Sequence, residues 1–181
     1  MGLLGTFNFR VSLLASAPAA SGDLGVGDRR PAPGPANLCD GGFQECSGLE
    51  LEMDVQELVE GGRNDGVIRR VGRGRFQNLV LKRGMFFGAG PQAGSSGLDA
   101  RVWLWLQGIL GGARPVQRYD GVVQVLDNAG ARTGGPEVVL ATWTFDRGLP
   151  AKVAGPHLNA KTGDIAIEEL TIAHEGLRLR I

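Results

Sequence analysis

Two cysteines, two histidines and one tyrosine in a chain of 181 residues exclude a good deal at the outset. Cys39 and Cys46 are too few for a secreted disulfide scaffold, so reduced, buried and inert thiols are expected, with a bridge across the intervening turn as the alternative. His157 and His174 stand apart from any cluster of ligands, and a Zn²⁺ or non-haem iron site would need further ligands at defined spacing. Neither a metal nor a cofactor is therefore expected. Lys plus Arg and Asp plus Glu each number 19, so no global charge draws the chain to nucleic acid or to an anionic membrane. No apolar run approaches the ~18 residues that span a bilayer, so no membrane anchor is expected. No Asn-x-Ser/Thr acceptor occurs. Ala15-Ser16-Ala17 resembles a signal cleavage site, and Met1-Gly2-Leu3-Leu4-Gly5-Thr6 fits a loose myristoylation pattern, but these stretches read better as part of a strand.

Assembled catalytic sets are missing too. Gly72-Arg73-Gly74-Arg75 has neither the spacing nor the lysine of a phosphate-binding loop, and no G-x-S-x-G elbow occurs. His174-Glu175 suits a structural histidine near a strand end better than a catalytic base. Glu50, Glu52, Asp54 and Glu57 form a ridge on one strand, whereas a glycosidase sets two carboxylates across a cleft. The chain is expected not to be an enzyme. A small hydrolase would have to be built from residues that the sequence does not bring together.

Glycine is abundant, at 30 residues, and it marks out the informative stretch GGFQECSGLELEMDVQELVEGG from Gly41 to Gly62. Short alternating runs between glycine breaks read as an antiparallel β unit. Phe43 to Cys46 forms a short strand. In Leu49 to Gln56, the residues Leu49, Leu51, Met53 and Val55 are expected to face inward and Glu50, Glu52, Asp54 and Gln56 outward. Leu58 falls on the acidic face, a phase slip that marks a bulge or a second apolar contact.

The remaining chain reads mostly as strands. Thr6 to Leu13 alternates strictly, and residues 15–38, rich in Ala, Pro, Gly and Ser, read as a long surface loop. Gly61 to Gln77 reads as a glycine- and arginine-rich connection with a turn at Asn64-Asp65-Gly66, and Asn78 to Lys82 as a strand. A second loop is expected at 85–97. A helix is then expected from a capping box at Ser96-Gly97-Leu98-Asp99 to Gly111-Gly112. Leu98, Val102, Trp105, Leu106 and Ile109 share one face of it, while Trp103, Leu104 and Leu110 lie off that face and suggest cover by a second chain. Val122 to Leu126 and Val138 to Phe145 read as strands around an extended turn at 130–137, Pro150 to Ala160 as irregular, and Asp164 to Leu179 as one long strand slipping phase at Glu168-Glu169. The sum is one domain over 1–181, mainly β: a two-sheet β-sandwich or barrel of about seven strands with one flanking α-helix.

Charge is patterned locally. Arg63, Arg69, Arg70, Arg73, Arg75, Lys82 and Arg83 are accompanied by Asp65 alone among the acids. A nucleic-acid-binding module would use such a run with stacking aromatics, of which only Phe76 is near. The acidic ridge offers another reading, in which opposite charges meet within the fold or between copies. The candidate subunit-interface residues are Glu50, Glu52, Asp54, Gln56, Leu58, Arg69, Arg70, Arg73, Trp103 and Leu110.

Gly42-Phe43-Gln44-Glu45-Cys46-Ser47-Gly48-Leu49-Glu50, then Glu60-Gly61-Gly62, Asn78-Leu79-Val80-Leu81-Lys82-Arg83-Gly84 and a Trp-containing helix run in one order. Gly155-Pro156-His157-Leu158-Asn159-Ala160 and Ile167-Glu168-Glu169-Leu170-Thr171-Ile172-Ala173-His174-Glu175-Gly176-Leu177 close it. This series resembles the tail tube protein family of contractile phages and phage-like injection systems, over most of residues 6–177. The resemblance implies two packed sheets with a flanking helix, six copies in a ring, and rings stacked into a hollow tube. It further implies that the 49–60 strand and its return form an extended hairpin reaching neighbouring subunits. The implied partners are further copies of the chain, a sheath protein, baseplate or spike proteins, tube-terminating proteins and a cargo in the lumen. The implied setting is a phage tail or injection particle assembled in the bacterial cytoplasm and, in some systems, released from the cell. The segments at 15–38, 85–97 and 130–137 depart from the family pattern, and there a specialised initiator ring at the baseplate would differ from the repeated subunit.

Overall fold

The computed structural model describes residues 8–16, 37–59, 61–62, 66–85, 87–89, 96–127, 137–158, 161 and 165–180. Strand β1 (Phe9–Ala15) carries the alternation seen in the sequence, with Val11 and Leu13 buried and Arg10 and Leu14 exposed. It is flanked by β2 (Asn37–Gly42) and, far along the chain, by β9 (Tyr119–Leu126). The expected loop thus gives way at Asn37 to a strand, and its centre lies outside the described residues. Short β3 (Glu45–Ser47) pairs with β6 (Leu79–Gly84), where Leu79 and Leu81 are buried and Val80 is half-buried. Between them, β4 (Leu51–Leu58) and β5 (Ile68–Phe76) form a hairpin of their own. The stretch read as a connection is therefore largely strand. Its glycines and arginines hide the alternation, because neither residue type reports a buried face.

Short β7 (Phe87–Ala89) and β8 (Ser96–Leu98) pair with each other ahead of helix α1 (Arg101–Leu110). The expected capping box is not formed. Ser96 and Leu98 belong to β8, Ala100 occupies the N-cap, and the Asp99 carboxylate accepts weakly from the Arg101 N–H at 3.3 Å. Val102 and Trp105 are the helix residues driven into the core.

The architecture turns on β10 (Val139–Ala154), a 16-residue strand reaching well past the expected end at Phe145. Its first part pairs with β9 on one side and with β12 (Gly176–Arg180) on the other. Its last part, from Leu149, pairs with β11 (Ile167–Ala173). Eight strands result, ordered β2-β1-β9-β10-β11-β6-β3 with β12 added on β10, mainly β as expected but not closed into a barrel. The long final strand of the sequence reading breaks at His174-Glu175 into β11 and β12. Within β11 there is no slip at Glu168: Glu168, Leu170 and Ile172 alternate inward together.

The bend in β10 falls at Arg147, a non-glycine residue at φ 55°. This left-handed backbone is strained for a side-chain-bearing residue, so its surroundings must hold it. The Arg147 N–H donates to Asp120 Oδ1 at 2.7 Å, the Arg118 guanidinium donates to the Arg147 carbonyl at 3.1 Å, and Arg147 Nε donates to Glu175 Oε2 at 2.8 Å. Beneath the bend lie Tyr119, Phe145 and Ile172, all buried. Gly121 is required here, since a Cβ on it would land inside the Phe145 ring. Gly121→Ala is accordingly expected to destabilise the fold by about 1–3 kcal/mol. In the same urea titration Gly74→Ala, with open space around it, should stay within about 0.5 kcal/mol. Equal effects of the two would contradict this packing.

Candidate functional site

The β4–β5 hairpin carries seven of the ten candidate interface residues, and an eighth, Glu50, directly precedes it. Its register pairs Leu51 with Phe76, Met53 with Gly74, Val55 with Val71 and Glu57 with Arg69. Because side chains alternate along a strand, these pairs share one face. Glu52 opposite Arg75, Gln56 opposite Arg70 and Leu58 opposite Ile68 occupy the other, together with Asp54. Between Met53 and Val55 the register shifts, and β5 carries the extra residue. Gly72 permits this bulge, as a Cβ there would run into the Asp54 main chain. Of the expected turn, Asn64 and Asp65 lie outside the described residues.

One hairpin face is therefore apolar from Leu51 to Val55 and ends in the Glu57–Arg69 pair, the other is polar until it ends in Leu58 and Ile68, and both are largely uncovered within the chain. Leu51 is 67% exposed, Val55 53% and Val71 78%. The sequence expectation that Leu51, Met53 and Val55 point into the core is thus corrected. Alternation reports that two faces differ, not what covers them; of that series only Leu49, at the root of the hairpin, packs against the core.

The acidic ridge and the basic run meet inside this hairpin. Arg75 pairs with Asp54 at 3.3 Å, Arg69 with Glu57 at 3.4 Å, and Gln77 Nε2 donates to Glu52 at 3.4 Å. Such exposed pairs contribute little to stability, typically about 0.2–1 kcal/mol, and they set register more than they hold the arm. Glu50 just before β4 and Arg70 and Arg73 on β5 are exposed.

The other two candidates lie on α1. Leu110 is 78% exposed, and Leu104 on the same helix is exposed as well. Trp103 is half-buried, and its indole N–H donates to Glu168 Oε2 at 2.9 Å. Glu168 is 2% exposed and also accepts from Arg83, which bonds Asp99 at 3.2 Å. The Asp99 carboxyl is pulled down to about 2 by its hydrogen bond from Arg101, with Arg83 assisting. One buried carboxylate thereby ties α1 to β6 and β11. Its sequence signal was its place two and four residues before Leu170 and Ile172, on their alternating face.

Cys39 is buried and Cys46 partly so, neither is in a disulfide, and burial pushes the Cys46 thiol up to about 11. Among the described residues, no three His, Cys, Asp or Glu side chains gather where a metal ion would bind. No helix there is long and apolar enough to cross a membrane.

The family model for the T4-like virus tail tube protein gp19 matches residues 5–178. The chain belongs to this tail tube family. No curated protein matches by sequence. Solved tube-like structures share the fold. A chain from the anti-feeding prophage baseplate is 21% identical with a TM-score of 0.70, over 99% of this chain and 97% of that one. A chain from the sheath–tube complex of an extracellular contractile injection system, PVC, is 20% identical with a TM-score of 0.66, over 98% and 91%. A chain from the PVC sheath/tube terminator is 19% identical with a TM-score of 0.67, over 100% and 99%.

Within this tail tube fold, removing the Glu168 carboxylate leaves the Arg83 charge buried without its main partner. Glu168→Ala should lower unfolding free energy by about 3–5 kcal/mol, and Glu168→Gln by less. Chemical denaturation monitored at tryptophan decides it, and an alanine variant as stable as the parent would contradict the assignment.

Proposed function

We propose that the chain is the structural inner-tube subunit of a contractile tail or injection particle. Six copies form a ring, rings stack into a hollow tube, and the tube is driven into a target and conducts cargo. The observation that carries this reading is the two-faced hairpin, whose apolar face has no cover in its own chain. Contiguous exposed apolar surface on one face of a projecting element marks a contact site, and an uncovered strand edge is a liability in a monomer and a bond in an assembly. Family membership supports the reading. The shared fold with chains from sheath–tube, baseplate and terminator assemblies supports sheath, baseplate and tube-terminating proteins as partners. The role is non-enzymatic, within a phage tail or released particle assembled in the bacterial cytoplasm.

The hairpin refines which residues make the contact. Leu51, Met53, Val55 and Val71 supply the buried area, while Glu50, Glu52, Asp54, Gln56, Arg69, Arg70 and Arg73 set register and partner. Leu58, Trp103 and Leu110 add contacts at its margins and on the helix. Nucleic-acid binding is less well supported, because Arg69 and Arg75 already face the hairpin's own acids and Phe76 packs at a tilt against His174. The second reading is an initiator ring, favoured by the baseplate setting of one fold relative; its mark would be rings that do not stack.

Val71→Asp and Met53→Asp should leave the thermal unfolding of the single chain unchanged. Each should raise the concentration needed for rings by about a hundredfold or more, the effect of losing about 3 kcal/mol of apolar burial. Sizing and negative-stain electron microscopy read this out. Charge reversal at Glu50 and Glu52 and Leu58→Asp should also weaken assembly. If those variants alone block it, the charged face is the contact; if none does, the tube reading fails.

A further inference from the structure

The hairpin leaves the body of the protein through a narrow root. Gly48, at φ 86°, lets one leg pass so close to the other that a Cβ would strike the Asn78 main chain. Above this pinch, Phe76 ends β5 and meets His174 at the turn between β11 and β12, ring centroids 5.6 Å apart. On its other side the imidazole meets Phe145, buried beneath the β10 bend, at 5.5 Å. His174 thus lies between the base of the arm and the core.

Both of its ring nitrogens are shut away from solvent, and neither makes a hydrogen bond of good geometry. The charged groups around it are already committed. Asp146 on β10 is held by Arg178 on β12, and Glu175 in the same turn is held by Arg118 and Arg147. Arg75, next to Phe76, sits on the opposite face of β5 and pairs with Asp54. A charge on the imidazole would therefore lose its water between two aromatic rings, with only the main chain at Gln77 and Gly176 and the already paired Asp146 to offset that loss, which is costly.

We propose that His174 is a pH-sensitive latch on the hairpin. Neutral, it fills the slot between Phe76 and Phe145 and fixes the angle of the arm; protonated, it leaves the slot and frees the arm from the core. The direction of its titration agrees: burial lowers its pKa from the ordinary 6.5, outweighing the main chain at Gln77 and Gly176 and the Asp146 carboxylate, which raise it. A base whose folded-state pKa is depressed contributes its full stability above the unfolded-state pKa and loses it as pH falls below that value. The latch holds near neutrality and opens under mild acid, within the range where histidine switches operate. This property belongs to a single copy and goes beyond the tube reading, so a chain that never assembles would still show it.

Amide hydrogen exchange on the full chain, corrected for the intrinsic pH dependence of exchange, tests it. Between about pH 7.5 and about pH 5, protection across β4 and β5 should be lost while that of β9 persists. His174→Phe should keep the hairpin protected at both values, and Phe76→Ala should leave it unprotected at both. Three results would overturn the latch: unchanged hairpin protection in the parent chain, equal loss in β9, or the same acid loss in His174→Phe. If His174→Phe does not fold, the parent and Phe76→Ala profiles still decide the matter.

Discussion

The backbone ladder of β10 is the constraint on which the rest of the structure depends. Sixteen residues pair with β9 and β12 at one end and with β11 at the other, so one strand belongs to both halves of the sheet. Two halves enclose a core only if that strand bends, and the bend requires a left-handed residue. Arg147 takes the strain, and Asp120, Arg118 and Glu175 hold it in place. Tyr119, Phe145 and Ile172 fill the concave side. A bend fixed by charge-assisted bonds above and aromatic packing below leaves the sheet little freedom, and α1 is then tied on through the Glu168 carboxylate.

A body held in this way suits the proposed role of the hairpin as an arm covered by a second copy. The β4–β5 arm presents a row of aliphatic side chains to solvent, and its surface ion pairs are too weak to anchor that row. Such an arm forms its own ladder, but a two-stranded hairpin is marginal alone, so it leans on its root and, in the proposed assembly, on the surface that covers it. Phe76 and His174 link it to the core, so the angle at which it is offered depends on the same packing that supports the bend.

Much of this was legible in the residues. Strict alternation placed β1, and a run apolar on both faces marked Asn78 to Lys82 as the strand that became β6. The resemblance to tail tube proteins supplied the hairpin that periodicity alone had missed between Gly61 and Gln77. What could not be read is physical in each case. Glycine and arginine carry no burial signal, which hid β5. Pro150 to Ala160 read as irregular, yet proline is tolerated where a strand is paired on one side alone, as here beyond Gly148, where pairing with β9 stops and β11 is the partner. Ser96 satisfied the pattern of a capping box, but β8 claimed it. Leu51, Met53 and Val55 were rightly set apart from their acidic neighbours and wrongly placed in the core, because a single sequence does not state whether an apolar face is covered by its own chain or by another.

That question is the centre of the account, and a cryo-electron microscopy reconstruction of the assembled chain answers it most directly. The account predicts rings in which Leu51, Met53, Val55 and Val71 of each copy are buried against the adjacent copy, so that Val71 loses most of its present 78% exposure. Rings in which that face remains in solvent, or a chain that stays monomeric at high concentration, would contradict it.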